Sequence, residues 1–233
     1  MCFSASVSFT ASIGLLGAAS YLFTQSKHLN LGSLVSITMP VAFALQQAAE
    51  GVVWLGLNND NHSLAHTASL VYQFFVFFWL VYFPLLGLVN EPRINIARRR
   101  IFYVAMALGL VAACYKFIPW LLNDSWMGPA ITNQCISYYH RDLFTNIPDF
   151  WQILMYFTLC TLSLFVSSHR VLHYLAIVSA LSILIVGMFF FYAFTSLWCF
   201  SAAVMSIMII KIDAILRQKC GSSILLIPDQ TAA

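Results

Sequence analysis

The sequence predicts an all-α fold, a bundle of seven transmembrane helices with the N-terminus outside and the C-terminus in the cytoplasm. Three observations lead there. Of the 233 residues, 61% are hydrophobic and only 8% are charged, with a mean hydropathy of +0.84. A soluble domain carries about 25% charged residues, so a multi-pass membrane protein is the class that fits. Apolar segments recur at close to the ~20 residues that cross the hydrocarbon core. Lys and Arg fall in alternate loops. The 20 Phe, 10 Tyr and 6 Trp suit the same setting. The net charge of +3 offers no basic face. The expected surroundings are therefore the lipid bilayer, with no nucleic acid as partner.

The membrane domain is expected over 1–217, followed by a cytoplasmic tail, 218–233. Its helices read as 6–24, 33–57, 64–89, 100–122, 149–167, 171–194 and 197–216. The opening MCFSASVSF lacks the basic region of a signal peptide, and no lipobox precedes Cys2, so 6–24 reads as a retained helix. The second segment is apolar except for a polar cluster in its outer half. The third is long enough to tilt, with Pro84 kinking it or marking its inner end. The fourth follows Arg98, Arg99 and Arg100, and the fifth carries Asp149, Gln152, Tyr156 and Cys160 on one face. From Arg170 to Lys211 no charged residue intervenes. As one helix that stretch would span roughly 60 Å, twice a bilayer, so two helices with a turn near Thr195 and Ser196 are expected. The segment 123–148 is the one long connection, large enough to fold over the outer mouth of the bundle as a lid or to lie passively on it.

Orientation follows from the loops. Lys27, then Arg93, Arg98 and Arg99, then Arg170, then Arg217 and Lys219 all fall on one side. On the other side, 58–63 has no Lys or Arg, and 123–148 has only Arg141. Positive residues mark the cytoplasmic face.

Within the second helix, Gln46, Glu50 and Trp54 recur at i, i+4 and i+8, and Gln47 joins them at the i+7 partner of Trp54. Glu50 lies about seven residues from the outer end, roughly 10 Å deep. A carboxylate there is costly in lipid and is expected to face the bundle interior and find a partner. His66 and then Lys116 are the expected partners by depth. Gln73, Gln152 and Trp198 fall in the same outer half, whereas inner stretches such as FFVFFWLVYF are much more apolar. This asymmetry points to an outward-facing polar pocket centred on Glu50 and walled by Gln46, Gln47, Trp54, His66, Gln73, Lys116, Gln152 and Trp198. The same amides also serve as hydrogen-bonding glue between helices.

No cofactor is required by this reading. His62 and His66 have the i, i+4 spacing of two ligands on one metal, and with Glu50 they offer an alternative zinc site. His169 and His173 repeat the spacing elsewhere, so the spacing by itself is not specific. Neither HExxH nor GxSxG occurs. Cys2, Cys135 and Cys199 all fall near the outer surface, where an oxidising compartment lets two of them form a disulfide.

The opening Met1-Cys2-Phe3-Ser4, the helix motif formed by Gln46, Glu50, Gly51 and Trp54, and the late SLWCFSAAVMS resemble an uncharacterised family of small bacterial multi-pass membrane proteins. The resemblance implies a place in the bacterial cytoplasmic membrane, and implies that Cys2, Glu50 and Trp198-Cys199 belong to one shared feature. It brings no activity. Three functions remain open from the residues. The first is binding of a small molecule or ion in the outer pocket for sensing or transport. The second is an intramembrane metal-assisted hydrolase acting on lipid near the outer leaflet. The third is a structural partner subunit of a membrane complex, or a homo-oligomer, docking through its polar face.

Overall fold

The computed structural model describes residues 4–25, 31–91, 95–140, 149–206 and 208. They are mostly helical: α1 (Ala5–Gln25), α2 (Leu31–Asn58), α3 (His62–Val89), α4 (Ile96–Leu122), α5 (Asp149–Phe157), α6 (Ser163–Phe165), α7 (Arg170–Phe189) and α8 (Phe194–Ser206). A π-helical turn, Thr158–Leu162, runs α5 into α6, so the helices form seven rods. Four of them, α1, α3, α4 and Leu172–Phe189 within α7, are long and apolar enough to cross a membrane. That composition fits a membrane protein. The end of the last helix expected at 216, the tail, Cys2 and the side chain of Gln152 lie outside the described residues.

Consecutive rods from α1 to α4 pack side by side, and α8 returns against α2 and α7. Ser12 Oγ donates to the Ala44 carbonyl at 2.8 Å, pinning α1 to α2. Asn61 caps α3 by accepting the Leu64 N–H at 3.0 Å, and Asn95 caps α4 by accepting the Arg98 N–H at 2.9 Å. Pro40, Pro84 and Pro119 lie inside α2, α3 and α4. Each removes one intrahelical donor. Pro84 thereby frees the Leu80 carbonyl, and α4 closes on that oxygen: a Cβ at Gly109 would sit 2.5 Å from it. In lipid, where apolar surfaces gain nothing from leaving water, such close backbone contact is what holds helices together.

Two expectations are corrected here. Over its described residues, 123–140, the connection after α4 is not irregular. A 3-10 turn, Asp124–Trp126, leads into an antiparallel hairpin of β1 (Met127–Thr132) and β2 (Cys135–His140), with Thr132 opposite Cys135. Its two-residue turn places Asn133 at φ 50° and Gln134 at φ 61°, the left-handed geometry that matches strand twist. The all-α reading therefore gains a small sheet. The hairpin packs over α2, α3 and α8, and Ile136 is fully buried beside Val53, Trp54 and Ala68. The second correction concerns the turn expected at Thr195 and Ser196. α7 ends at Phe189, a 3-10 turn occupies Phe191–Ala193, and α8 begins at Phe194. Ser196 thus belongs to the first turn of α8.

Candidate functional site

α2 carries its polar residues into the centre of the bundle, where Gln46, Gln47 and Glu50 are each 0% exposed. The Gln46 amide ties three helices together. Its Oε1 accepts the Trp79 indole N–H from α3 at 2.9 Å, and its Nε2 donates to Cys199 Sγ of α8 at 3.0 Å. Trp79 stacks on Phe43 with centroids 3.7 Å apart. Phe78, Tyr82 and Phe83 pack around it.

One turn further along α2, Glu50 accepts a hydrogen bond from Ser196 Oγ through Oε1. The positive end of α8 therefore faces the carboxyl, a favourable arrangement for negative charge. Its second oxygen, Oε2, has no hydrogen-bond partner, and neither does either polar atom of the Gln47 side chain. Gln47 and Glu50 are i, i+3 neighbours on the helix surface. The one ion pair among the described residues joins Arg98 to Glu91, so none of their cationic groups bridges Glu50.

Beside this cluster lies a cavity of about 400 Å³ beneath the hairpin. Tyr138 and Ile136 of β2, Tyr156 of α5 and Trp198 of α8 form part of its wall, with Gln73 and Lys116 as polar groups. Tyr156 meets Trp198 edge-on at 5.0 Å and donates its hydroxyl to the Val76 carbonyl at 2.8 Å. The Trp198 indole N–H is buried and has no partner. Tyr138 stacks on Tyr72 at 5.0 Å, and the Tyr72 hydroxyl donates to the Thr195 carbonyl at 3.0 Å. Burial, together with the nearby Glu50 and Cys199, pushes the Tyr138 hydroxyl far above its usual range.

A model of a family of unknown function, DUF6629, matches residues 1–221. The chain belongs to this family. No curated protein and no solved structure matches it.

In this DUF6629 member the residues singled out by sequence divide between places. Gln46, Gln47 and Glu50 form the buried cluster, while Gln73, Lys116 and Trp198 line the cavity. Glu50 is not among the lining residues, so the cavity lies beside the carboxyl rather than around it. Trp54 packs with Val53, Ala68 and Ile136 under the hairpin, with its indole N–H unpartnered. His66 is half-buried and its Nε2 has no partner, so Ser196, not His66 or Lys116, is the residue bonded to Glu50. His62 is exposed at the start of α3, and Glu50, His62 and His66 do not come together: no metal-holding group of His, Cys, Asp and Glu occurs among the described residues. Cys199 is a free, buried thiol and does not enter a disulfide. Cys135 is disulfide-bonded. The other described cysteines, Cys114, Cys160 and Cys199, are free, so its partner lies outside the described residues.

Trp79, Tyr72, Tyr138 and Ser196 were not legible as site residues. Trp79 sits within FFVFFWLVYF, which reads only as a strongly apolar inner stretch, although Tyr72 and Trp79 stand seven residues apart and so share a helix face. At the opposite end of α3, Glu91 is 8% exposed and clasps the chain before α7. It accepts from Ser167 Oγ and from the Ser168 N–H, both at 2.9 Å, and pairs with Arg98 at 3.4 Å. Burial pushes its carboxyl up, but the hydrogen bonds from Ser168 and Ser167 and the nearby His169 outweigh it and hold the group below the ordinary 4.5.

Proposed function

We propose that the protein is a seven-span integral membrane protein of a bacterial cytoplasmic membrane that binds a small molecule in its outer cavity for sensing or transport. The observation that carries this reading is the cavity itself. Its ~400 Å³ lies within the size range of small-molecule sites, and its walls are aromatic with a few polar groups. The unpaired Trp198 indole N–H beside it asks for an acceptor. The fitting ligand has an apolar or aromatic body and one polar or anionic head, the head meeting Trp198, Gln73 and Lys116. The Phe43–Trp79 stack and the rings around it obstruct the route onward through the bundle, which favours sensing over transport.

The orientation is supported from two sides. Arg98, Arg99 and Arg100 stand at the start of α4, and the hairpin follows its other end. Cys135 of that hairpin is in a disulfide, which belongs in an oxidising compartment. A phosphatase fused after Arg217 should therefore be inactive, and activity there would sink the orientation.

Ala193 lines the cavity and is 2% exposed. Ala193→Phe should fill part of it. Native mass spectrometry of the protein released from nanodiscs, screened against small amphiphiles with acceptor or anionic heads, should show adducts on the wild type. They should be lost in Ala193→Phe while its thermal stability is kept. Adducts of equal strength on both proteins, or none on the wild type across the screen, would overturn the binding reading.

A further inference from the structure

We propose that Glu50 is a proton-binding site, held as a neutral carboxylic acid in the resting protein and linked to the outer cavity through Ser196, Thr195, Tyr72 and Tyr138. This does not depend on the ligand reading, since the ligand here is the proton itself.

Glu50 is 0% exposed within a bundle whose neighbours are mostly apolar. An ionised carboxylate in such a place must be paired with a cation or give up its charge. The groups facing it can be taken helix by helix. α8 presents Ser196, which donates to Oε1, and the Cys199 thiol, already bonded to Gln46. α3 presents Tyr72, and β2 presents Tyr138. α1 packs against α2 with the serines Ser8 and Ser12 on its buried face and no charged residue among its described positions. His66 of α3 makes no ion pair with Glu50, and neither does Lys116 of α4. Ser196 and the α8 N-terminus can ease a negative charge, but they do not neutralise it.

The polar groups around the carboxyl accommodate the neutral acid as well. Oε2 has no partner, and one turn back the Gln47 amide oxygen, also 0% exposed, has none either. The Gln47 amide offers both a donor and an acceptor at i, i+3 spacing, so it can donate to an ionised Oε2 or accept from a protonated one, while Oε1 keeps the Ser196 bond. What separates the two states is therefore the buried charge, which the proton removes.

The link to the cavity runs through consecutive residues. Ser196 holds Glu50, and the carbonyl of the preceding Thr195 is held by the Tyr72 hydroxyl. The Tyr72 ring stacks on Tyr138, and Thr195 and Tyr138 both line the cavity. A shift of the hairpin therefore reaches the Ser196 donor through two contacts, and with it the balance between the charged and neutral acid.

Infrared difference spectroscopy on wild-type protein in nanodiscs, with no added ligand, tests this directly. At neutral pH the wild type should show the C=O band of a protonated carboxylic acid, shifted in heavy water and absent in Glu50→Gln. Should Glu50→Gln not fold, Glu50→Asp should move the band, and an unmoved band would assign it elsewhere and overturn the proposal. Tyr72→Phe keeps the ring stack and removes the hydroxyl. It should shift the pH at which the band is lost by on the order of half a unit, the worth of one modest hydrogen bond. Absence of the band in the wild type would mean an ionised Glu50 and refute the proton site. An unchanged midpoint in Tyr72→Phe would refute the link to the cavity.

Discussion

Replacing Gln46 with Leu is the sharpest probe of what holds the bundle centre together. The side chains are similar in size, so packing changes little, but one amide that joins α2 to both α3 and α8 is lost. The Trp79 indole N–H, on a residue 0% exposed, is left with no acceptor. An orphaned buried donor costs about 1–3 kcal/mol. The Cys199 contact adds little, because a thiol is a weak acceptor. Trp79→Phe removes the donor instead, and also opens space against Phe43, so its single effect mixes two losses. The double mutant separates them. Interhelical hydrogen bonds in a bilayer average about 0.6 kcal/mol and reach about 1.7 at most, which brackets the coupling expected between Gln46 and Trp79. Unfolding in mixed micelles, followed by tryptophan fluorescence and circular dichroism, measures all four corners of the cycle. Additivity within ~0.3 kcal/mol would mean that the bond contributes nothing. A Gln46→Leu protein more stable than the wild type would mean that burying the amide costs more than its two bonds return. Either result refutes the reasoning.

Gly109→Ala puts a methyl 2.5 Å from the Leu80 carbonyl, where backbone must give way, so stability should fall by about 1–3 kcal/mol; an unshifted melting temperature would show that α3 and α4 do not approach this closely. Cys135 should be joined to Cys2: Ala5 packs against the cluster that holds Ile136, and the three residues back to Cys2 reach at most about 10 Å. Non-reducing peptide mapping should find that pair, and a Cys220 linkage or free alkylation of Cys135 would contradict it. Glu91 has a lowered proton affinity in the folded chain, so its contribution to stability is present above 4.5 and is lost as pH falls through its lower folded value. Thermal melts below pH 4.5 should therefore be less steeply pH-dependent in Glu91→Gln than in the wild type, and identical slopes would remove Glu91 from the clasp on Ser167 and Ser168.

How far the sequence could be read depended on the kind of signal each feature left. The first four helices were legible to within a few residues because apolar length and basic loops leave a strong trace. The inward placement of Gln46, Gln47 and Glu50 followed from the cost of polarity in lipid, and all three are fully buried. The hairpin left a weaker trace. Its turn is Asn133-Gln134, and the second position adopts positive φ without the glycine that usually announces it. Short strands of mixed polarity inside a long loop then look irregular. Trp79 was hidden for a different reason: in a run of rings, hydropathy does not record which one has an N–H aimed at an amide.

The partner of Glu50 shows how one misplaced boundary propagates into a site. With the last turn placed at Thr195 and Ser196, the serine is loop, and the search for a partner goes to charged groups at matching depth, His66 and Lys116. The chain instead turns at Phe191–Ala193, and the last helix begins at Phe194. Ser196 then lies in its first turn, where a hydroxyl and the helix N-terminus both favour a carboxyl oxygen. Cys199, one turn on, meets Gln46, which lies one turn before Glu50 on α2. The pairs Ser196–Glu50 and Cys199–Gln46 thus run in opposite chain directions, as two antiparallel helices require. Serine is unremarkable in sequence because it carries no charge and is common in membrane helices. Its importance here comes from register, and register became visible only once the helix start was known.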